Sequence, residues 1–143
     1  FTNVSILDIS QTALNITRNR LVKFADCYEW LVGDVTKIEL PKSHYKIWHD
    51  RAVFHFLTEK EQRQKYISQL TNSIAPNGNV IIATFSLDGP KKCSGLDIVG
   101  YSAQTLAQEL GNKFTLIEST IEQHNTPSGS IQEFIYCHFK VAS

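Results

Sequence analysis

The chain has 143 residues, 42% of them hydrophobic and 20% charged, with 14 basic and 14 acidic side chains. That size suits one domain with room for a sizeable core, so residues 1–143 are read as a single domain. Balanced charge excludes a strongly basic nucleic-acid binder, and 7 Gly with 4 Pro exclude a fibrous or disordered chain, so no nucleic-acid partner is expected.

Residues 4–8 (VSILD) form a short apolar run ending in an acid and read as a buried strand. Ser10 is placed to cap a helix, because its hydroxyl can accept a free N–H of the first turn, and Ala13, Leu14, Thr17 and Leu21 then share one face. Residues 29–34 (EWLVGD) and 45–50 (YKIWHD) repeat the strand pattern, each again closing on Asp. Strand interiors disfavour Asp, whereas strand ends that face a ligand can use it. Thr58 with Glu61 has capping-box spacing and opens a helix with Tyr66, Ile67, Leu70 and Ile74 on one face, stopped by Pro76-Asn77-Gly78. Residues 80–85 (VIIATF) are continuously apolar, the pattern of a parallel strand covered on both sides. An irregular stretch, 86–101, leads to a short helix capped by Ser102, bearing Ala103, Leu106, Ala107 and Leu110, and closed by Gly111. Residues 113–124 and 130–141 flank Thr126-Pro127-Ser128-Gly129 and read as an antiparallel hairpin. The order β-α-β-β-α-β-α-β-β predicts an α/β fold with an open sheet, antiparallel only at its C-terminal edge.

Three scattered cysteines, Cys27, Cys93 and Cys137, make neither a CxxC pair nor a disulfide framework, which favours a reducing, cytoplasmic setting. No run reaches the roughly 20 apolar residues of a membrane span, so no membrane partner is expected. The sequence contains no Met and opens on Phe1, which suggests a processed chain or a piece of a longer one.

Ligands of open α/β sheets bind beyond the carboxyl ends of the strands, which singles out Asp8, Asp34, Asp50 and their neighbours. A carboxylate there can accept two hydrogen bonds from a ribose diol, and a Gly-rich turn is expected roughly 20 residues before such an acid. The first Gly of the chain is Gly33, so that turn is expected upstream of Phe1.

The stretches LDIS (7–10), GDV (33–35), IWHDRAVFHFL (47–57) and IAPNGNVIIATF (74–85) resemble class I S-adenosylmethionine-dependent methyltransferases. The likeness is to a group of small, mostly bacterial members with a D-R-A-V-F-H-F signature. It implies a Rossmann-like open sheet with a C-terminal antiparallel hairpin, and S-adenosyl-L-methionine as cofactor. By this resemblance Asp8 matches the acid on the adenosyl ribose, Ile9 packs on adenine, and Asp34 with Val35 holds the adenine edge. His49 and Asp50 match the end of the fourth strand, beside methyl donor and acceptor. The family's first strand and its GxGxS or GxGxG loop have no counterpart here. Their absence implies two strand edges left unpaired in mid-sheet, which invite pairing with another chain, a homo-oligomer included.

The resemblance further implies in-line attack by an acceptor atom on the sulfonium methyl, with an acceptor whose identity is unreadable because loops set substrate choice. His49, Asp50 and His55 are the candidate bases, and Arg51 is the candidate for gripping a substrate carboxylate through its planar fork. Against these stand plainer readings: His49-Asp50-Arg51 as a structural ion-pair cluster, and His55 as a core histidine between Phe54 and Phe56. The other histidines, His44, His124 and His138, add no HxxxH or Cys-partnered motif, so no metal site is expected. Cys93 lacks a paired base and is read as inert, Lys91 and Lys92 as solvated surface, and Phe134, Tyr136 and Phe139 as core. Two other functions are retained. One is a non-catalytic methyltransferase-like binding protein. The other is a dinucleotide-dependent oxidoreductase, which would need a GxGxxG turn upstream.

Overall fold

A computed structural model describes residues 2–143, so Phe1, on which the reading of the chain's start rests, lies outside the described residues. Read as one domain in sequence, the chain divides into two compact units, Phe1–Glu39 and Leu40–Ser143, each described by itself.

In the first unit, β1 (Val4–Asp8) lies parallel to β2 (Tyr28–Val32) and is joined to it by α1 (Gln11–Arg20) and a 3-10 turn, Ala25–Cys27. The Ser10 hydroxyl accepts from Ala13 N–H at 3.2 Å, as the capping chemistry predicts. Leu14 is the buried residue of α1, while Ala13, Thr17 and Leu21 are half-buried beside it. β2 ends two residues earlier than expected, at Val32, and Gly33 N–H then donates to the Asp8 carbonyl.

In the second unit, β3 (Tyr45–Arg51), β4 (Ile74–Phe85), β8 (Ile131–Val141) and β7 (Phe114–Asn125) form a four-stranded sheet in the order β3-β4-β8-β7. β3 and β4 are parallel through α2 (Lys60–Ser73), and β8 runs antiparallel to both β4 and β7. The expected strands thus fall into separate two-stranded and four-stranded sheets. The 86–101 stretch carries a small antiparallel ribbon, β5 (Lys92–Cys93) with β6 (Leu96–Asp97), that the sequence does not announce.

Two local expectations are corrected. The helix does not use Thr58 as cap: Glu59 occupies that position without a side-chain cap, and the Arg63 guanidinium instead donates to the carbonyls of Leu57 and Thr58. Nor does Pro76-Asn77-Gly78 end the helix, which already stops at Ser73. Ile74 is extended and pairs with Tyr45, and the ladder resumes at Ile47 with Asn79, so residues 75–78 form a bulge within β4. A capping box does form at α3 (Ala103–Leu110), between Ser102 and Thr105.

Val80, Ile82, Ala83, Phe85, Cys137 and Phe139 are fully buried, as the continuous apolar run of β4 predicts. Each large apolar side chain so buried contributes about 1.5–3 kcal/mol, which makes β4 and β8 the energetic centre of this unit. Beyond β4, Ser86 bridges to Tyr101, whose N–H donates to the Phe85 carbonyl. Gly100 permits that approach, since a Cβ there would lie 2.7 Å from the Ser86 carbonyl oxygen. Gly100→Ala is therefore expected to cost about 1–3 kcal/mol of stability, read by urea unfolding; an unchanged midpoint would contradict the close approach.

Candidate functional site

The carboxyl ends of β1 and β2 carry the first set of predicted residues. Asp8 is half-buried; its Oδ1 accepts from Ser10 N–H at 2.8 Å, while no protein donor reaches its Oδ2 among the described residues. Ile9 beside it is 73% exposed, an unusual position for a large apolar side chain. One β-strand away, the Asp34 Oδ1 accepts from both Thr36 N–H (2.8 Å) and Thr36 Oγ1 (2.7 Å), and its Oδ2 lies 3.8 Å from Lys37 Nζ. Val35 is half-buried in the same turn. Parallel pairing thus puts Asp8, Ile9, Asp34 and Val35 at one end of one small sheet.

The end of β3 carries the second set. Successive side chains point to opposite faces, so Trp48 and Asp50 share one face while His49 and Arg51 share the other. Asp50 is 5% exposed, and both carboxylate oxygens are spent on the protein. Oδ1 accepts from Val53 N–H (2.9 Å), and Oδ2 accepts from Phe54 N–H (3.1 Å) and Tyr66 Oη–H (2.6 Å). The Trp48 indole donates in turn to Tyr66 Oη at 3.0 Å. Ala52, with φ of +65°, turns the chain back so that the next two amides face that carboxylate. Burial pushes the Asp50 carboxyl above 3.8, against the pull of Tyr66, the two amides and the nearby His49. Burial and the Asp50 charge push the Tyr66 phenol well above 10.

Asp50, expected as a candidate base, joins β3, the 3-10 turn Phe54–Phe56 and α2 through these contacts. His55 is enclosed as well. It is fully buried in that turn, its Nδ1 accepts from Phe85 N–H at 3.1 Å, and its Nε2 has no partner among the described residues. Burial holds its pKa down at about 4, so it is neutral near pH 7 and presents no face to solvent.

His49 and Arg51 remain accessible. In register, Arg51 lies opposite Ala83 and Ala83 opposite Tyr136, so only a methyl group separates the arginine from the tyrosine two strands away. The Arg51 side chain crosses that gap: Nε donates to Tyr136 Oη at 2.8 Å, and the guanidinium sits 4.5 Å above the Phe134 ring. Phe134 packs with Ala83 and Phe85, and the half-buried Ala52, Cys93, Ile98 and Tyr136 pack against that cluster. Strand alternation in the sequence marks Tyr136 and Phe134 as core alone. The signal that would have marked them is the small residue at position 83, legible only once the register is known.

Lys91 donates to the Leu87 carbonyl and Lys92 pairs with Asp97 at 3.7 Å, both at the surface. An open groove of about 600 Å³ lies elsewhere, lined by Lys60, Gln64, Leu87, Tyr101 and Glu109 among others, and none of the sequence-predicted site residues borders it. No helix of the described residues is long and apolar enough to cross a membrane.

No family model matches the chain, and no curated protein matches it in sequence. Solved structures do match in shape. A SAM-dependent methyltransferase from Methanosarcina mazei aligns over 98% of this chain and 82% of its own, with a TM-score of 0.77 at 10% identity. The N-methyltransferase NodS from Bradyrhizobium japonicum, in complex with S-adenosyl-L-homocysteine, aligns over 97% of this chain and 66% of its own (TM-score 0.74, 12% identity). A 1,6-didemethyltoxoflavin-N1-methyltransferase from Burkholderia thailandensis, with that compound and S-adenosylhomocysteine bound, aligns over 97% and 61% (TM-score 0.73, 14% identity). The likeness shows the fold: the α/β architecture is that of class I methyltransferases.

Two measurements check the anchoring described above. Asp50→Ala leaves two amides and the Tyr66 hydroxyl without their acceptor and is expected to cost about 2–4 kcal/mol in urea unfolding, with Tyr66→Phe costing about 1 kcal/mol. A loss below about 1 kcal/mol for Asp50→Ala would remove its role as anchor. For His55, the unfolded chain takes up a proton near 6.5 and the folded chain only near 4. Its contribution to stability is therefore whole above 6.5 and is lost as pH falls toward 4, with a slope of up to about 1.4 kcal/mol per pH unit. His55→Asn, which keeps an acceptor for Phe85 N–H, should unfold with a flatter pH dependence over that window; parallel curves for the two proteins would contradict the assignment.

Proposed function

We propose that this protein transfers the methyl group of S-adenosyl-L-methionine to an acceptor molecule. The observation that carries the reading is the likeness to SAM-dependent methyltransferases over 97–98% of the chain, two of them holding S-adenosylhomocysteine. The residues fit such a cofactor. Asp8 Oδ2 is an unspent acceptor for a ribose hydroxyl, and exposed Ile9 offers an apolar surface for adenine. Asp34 and Val35, at the same end of the sheet, suit the adenine edge. When bound, S-adenosylmethionine supplies a methyl group made electrophilic by its sulfonium.

The work left to the chain is alignment, exclusion of water and, for a protonated acceptor, removal of a proton. His49 is the accessible base in this scheme, at the end of β3 and on the face that carries Arg51. Asp50 and His55 serve by position: the first holds the turn that follows β3, and the second holds that turn to β4 through Phe85 N–H.

Calorimetric titration of the protein with S-adenosylmethionine, and separately with NAD, tests the reading. Saturable binding of the first and none of the second is expected. Binding of NAD alone would favour a dinucleotide enzyme, and binding of neither would favour a non-catalytic relative of the fold. Asp8→Asn is expected to weaken S-adenosylmethionine by about tenfold or more, the worth of a charge-assisted hydrogen bond.

A further inference from the structure

The Arg51 guanidinium is a cation fixed in place with most of its donors unspent. Of its five N–H groups, the one on Nε is committed, to Tyr136 Oη, and the aromatic ring of Phe134 lies beneath its plane. Among the described residues no carboxylate pairs with it. A flexible surface arginine loses considerable side-chain entropy when a ligand orders it. Here that ordering is already done by Tyr136 and Phe134, across the gap left by Ala83.

The outer nitrogens of a guanidinium present parallel donors that match the two oxygens of a carboxylate. Beside them lies an apolar wall: Ala52, Cys93, Ile98 and Tyr136, all half-buried, over Phe85 and Phe134. A dianionic, fully hydrated group such as a phosphate ester would find one cation and a greasy neighbour. A monocarboxylate on an apolar body would satisfy both surfaces together.

We infer that Arg51 is the specificity-determining residue for an acceptor that carries a carboxylate on an apolar body, with Tyr136 and Phe134 as its positioning residues. The inference rests on the methyl-transfer reading in placing the acceptor at this end of β3 and β4. The carboxylate lies against the two outer nitrogens of Arg51, and the body lies along Ala52, Cys93 and Ile98.

Benzoate serves as probe, with benzamide as its uncharged isostere and inorganic phosphate as the competing anion. The readout is the side-chain Nε–H resonance of Arg51 in nitrogen-15-labelled protein, together with the ring signals of Tyr136. Benzoate is expected to shift both in a saturable manner, benzamide to shift neither, and phosphate to bind at least about tenfold more weakly. Arg51→Gln should abolish the Tyr136 response. Tyr136→Phe, which keeps the ring but releases Nε, should weaken benzoate by about five- to tenfold, the share of one hydrogen bond. Response to benzamide, equal affinity for phosphate, an unaltered Tyr136 response in Arg51→Gln, or no response to benzoate would each overturn the inference. S-adenosylmethionine binding is scored separately on the wild-type protein. If it binds while benzoate does not, this inference alone falls. If benzoate binds while S-adenosylmethionine does not, the carboxylate site stands but ceases to be an acceptor site, and the methyl-transfer reading falls.

Discussion

The carboxylate of Asp50 is nearly removed from water, and such a group is tolerated only when its lone pairs are met by donors. Three donors meet it: two amides of the turn that follows β3 and the phenol of Tyr66 on α2. Through these contacts one side chain sets where β3 ends, how the next turn is shaped and how α2 lies over the strand. Ala52, in the left-handed region where a non-glycine residue costs roughly 1–2 kcal/mol, shows that the turn is held rather than freely chosen. Phe54, buried against both Tyr66 and Tyr101, then carries the same constraint toward the start of α3.

The opposite face of β3 owes its exposed side chains to this arrangement. Because Asp50 takes the inner face, strand alternation sends His49 and Arg51 outward together. Because Ala83 fills the intervening position on β4, Arg51 reaches Tyr136 rather than curling back into solvent. The side chain held on the inner face thus decides which neighbours are left exposed on the outer one. Along one strand, Asp50 is enclosed by protein donors while His49 and Arg51 stay exposed.

Much of the fold was legible because it rests on local signals. The run VSILD became β1 with its expected bounds, the Ser10 hydroxyl caps α1, and the two C-terminal segments pair as the intervening Thr-Pro-Ser-Gly turn implies. Where reading failed, a distant partner had intervened. The expected Thr58 cap is absent, and the backbone there is held through its carbonyls by Arg63, which also pairs with Glu109 of α3 at 3.2 Å and so is placed by tertiary contacts. Pro76-Asn77-Gly78 looked like a stop signal, yet pairing with β3 absorbed it as a bulge, its Asn77 taking φ of +59°. Within the candidate site, the residue types at the strand ends were readable. Which of them turn inward was not, since that depends on the sheet register and on what α2 presents. The acids Asp8 and Asp34 at their strand ends belong to the readable part, and the exposure of Ile9 and the Tyr136–Arg51 contact to the other.

β7 ends the order of the four-stranded sheet, and most of it is exposed along its length, Ile117 and Ile121 included. A bare edge of that kind is a template for a second chain. Its acids are spaced to resist that. In an antiparallel self-pairing centred on Thr120, Glu118 of one copy would face Glu122 of the other at both crossings. Like charges set directly opposite each other across a strand pair are destabilising. The strand that exposes its isoleucines thus also carries the acids that oppose its pairing with a second copy of itself.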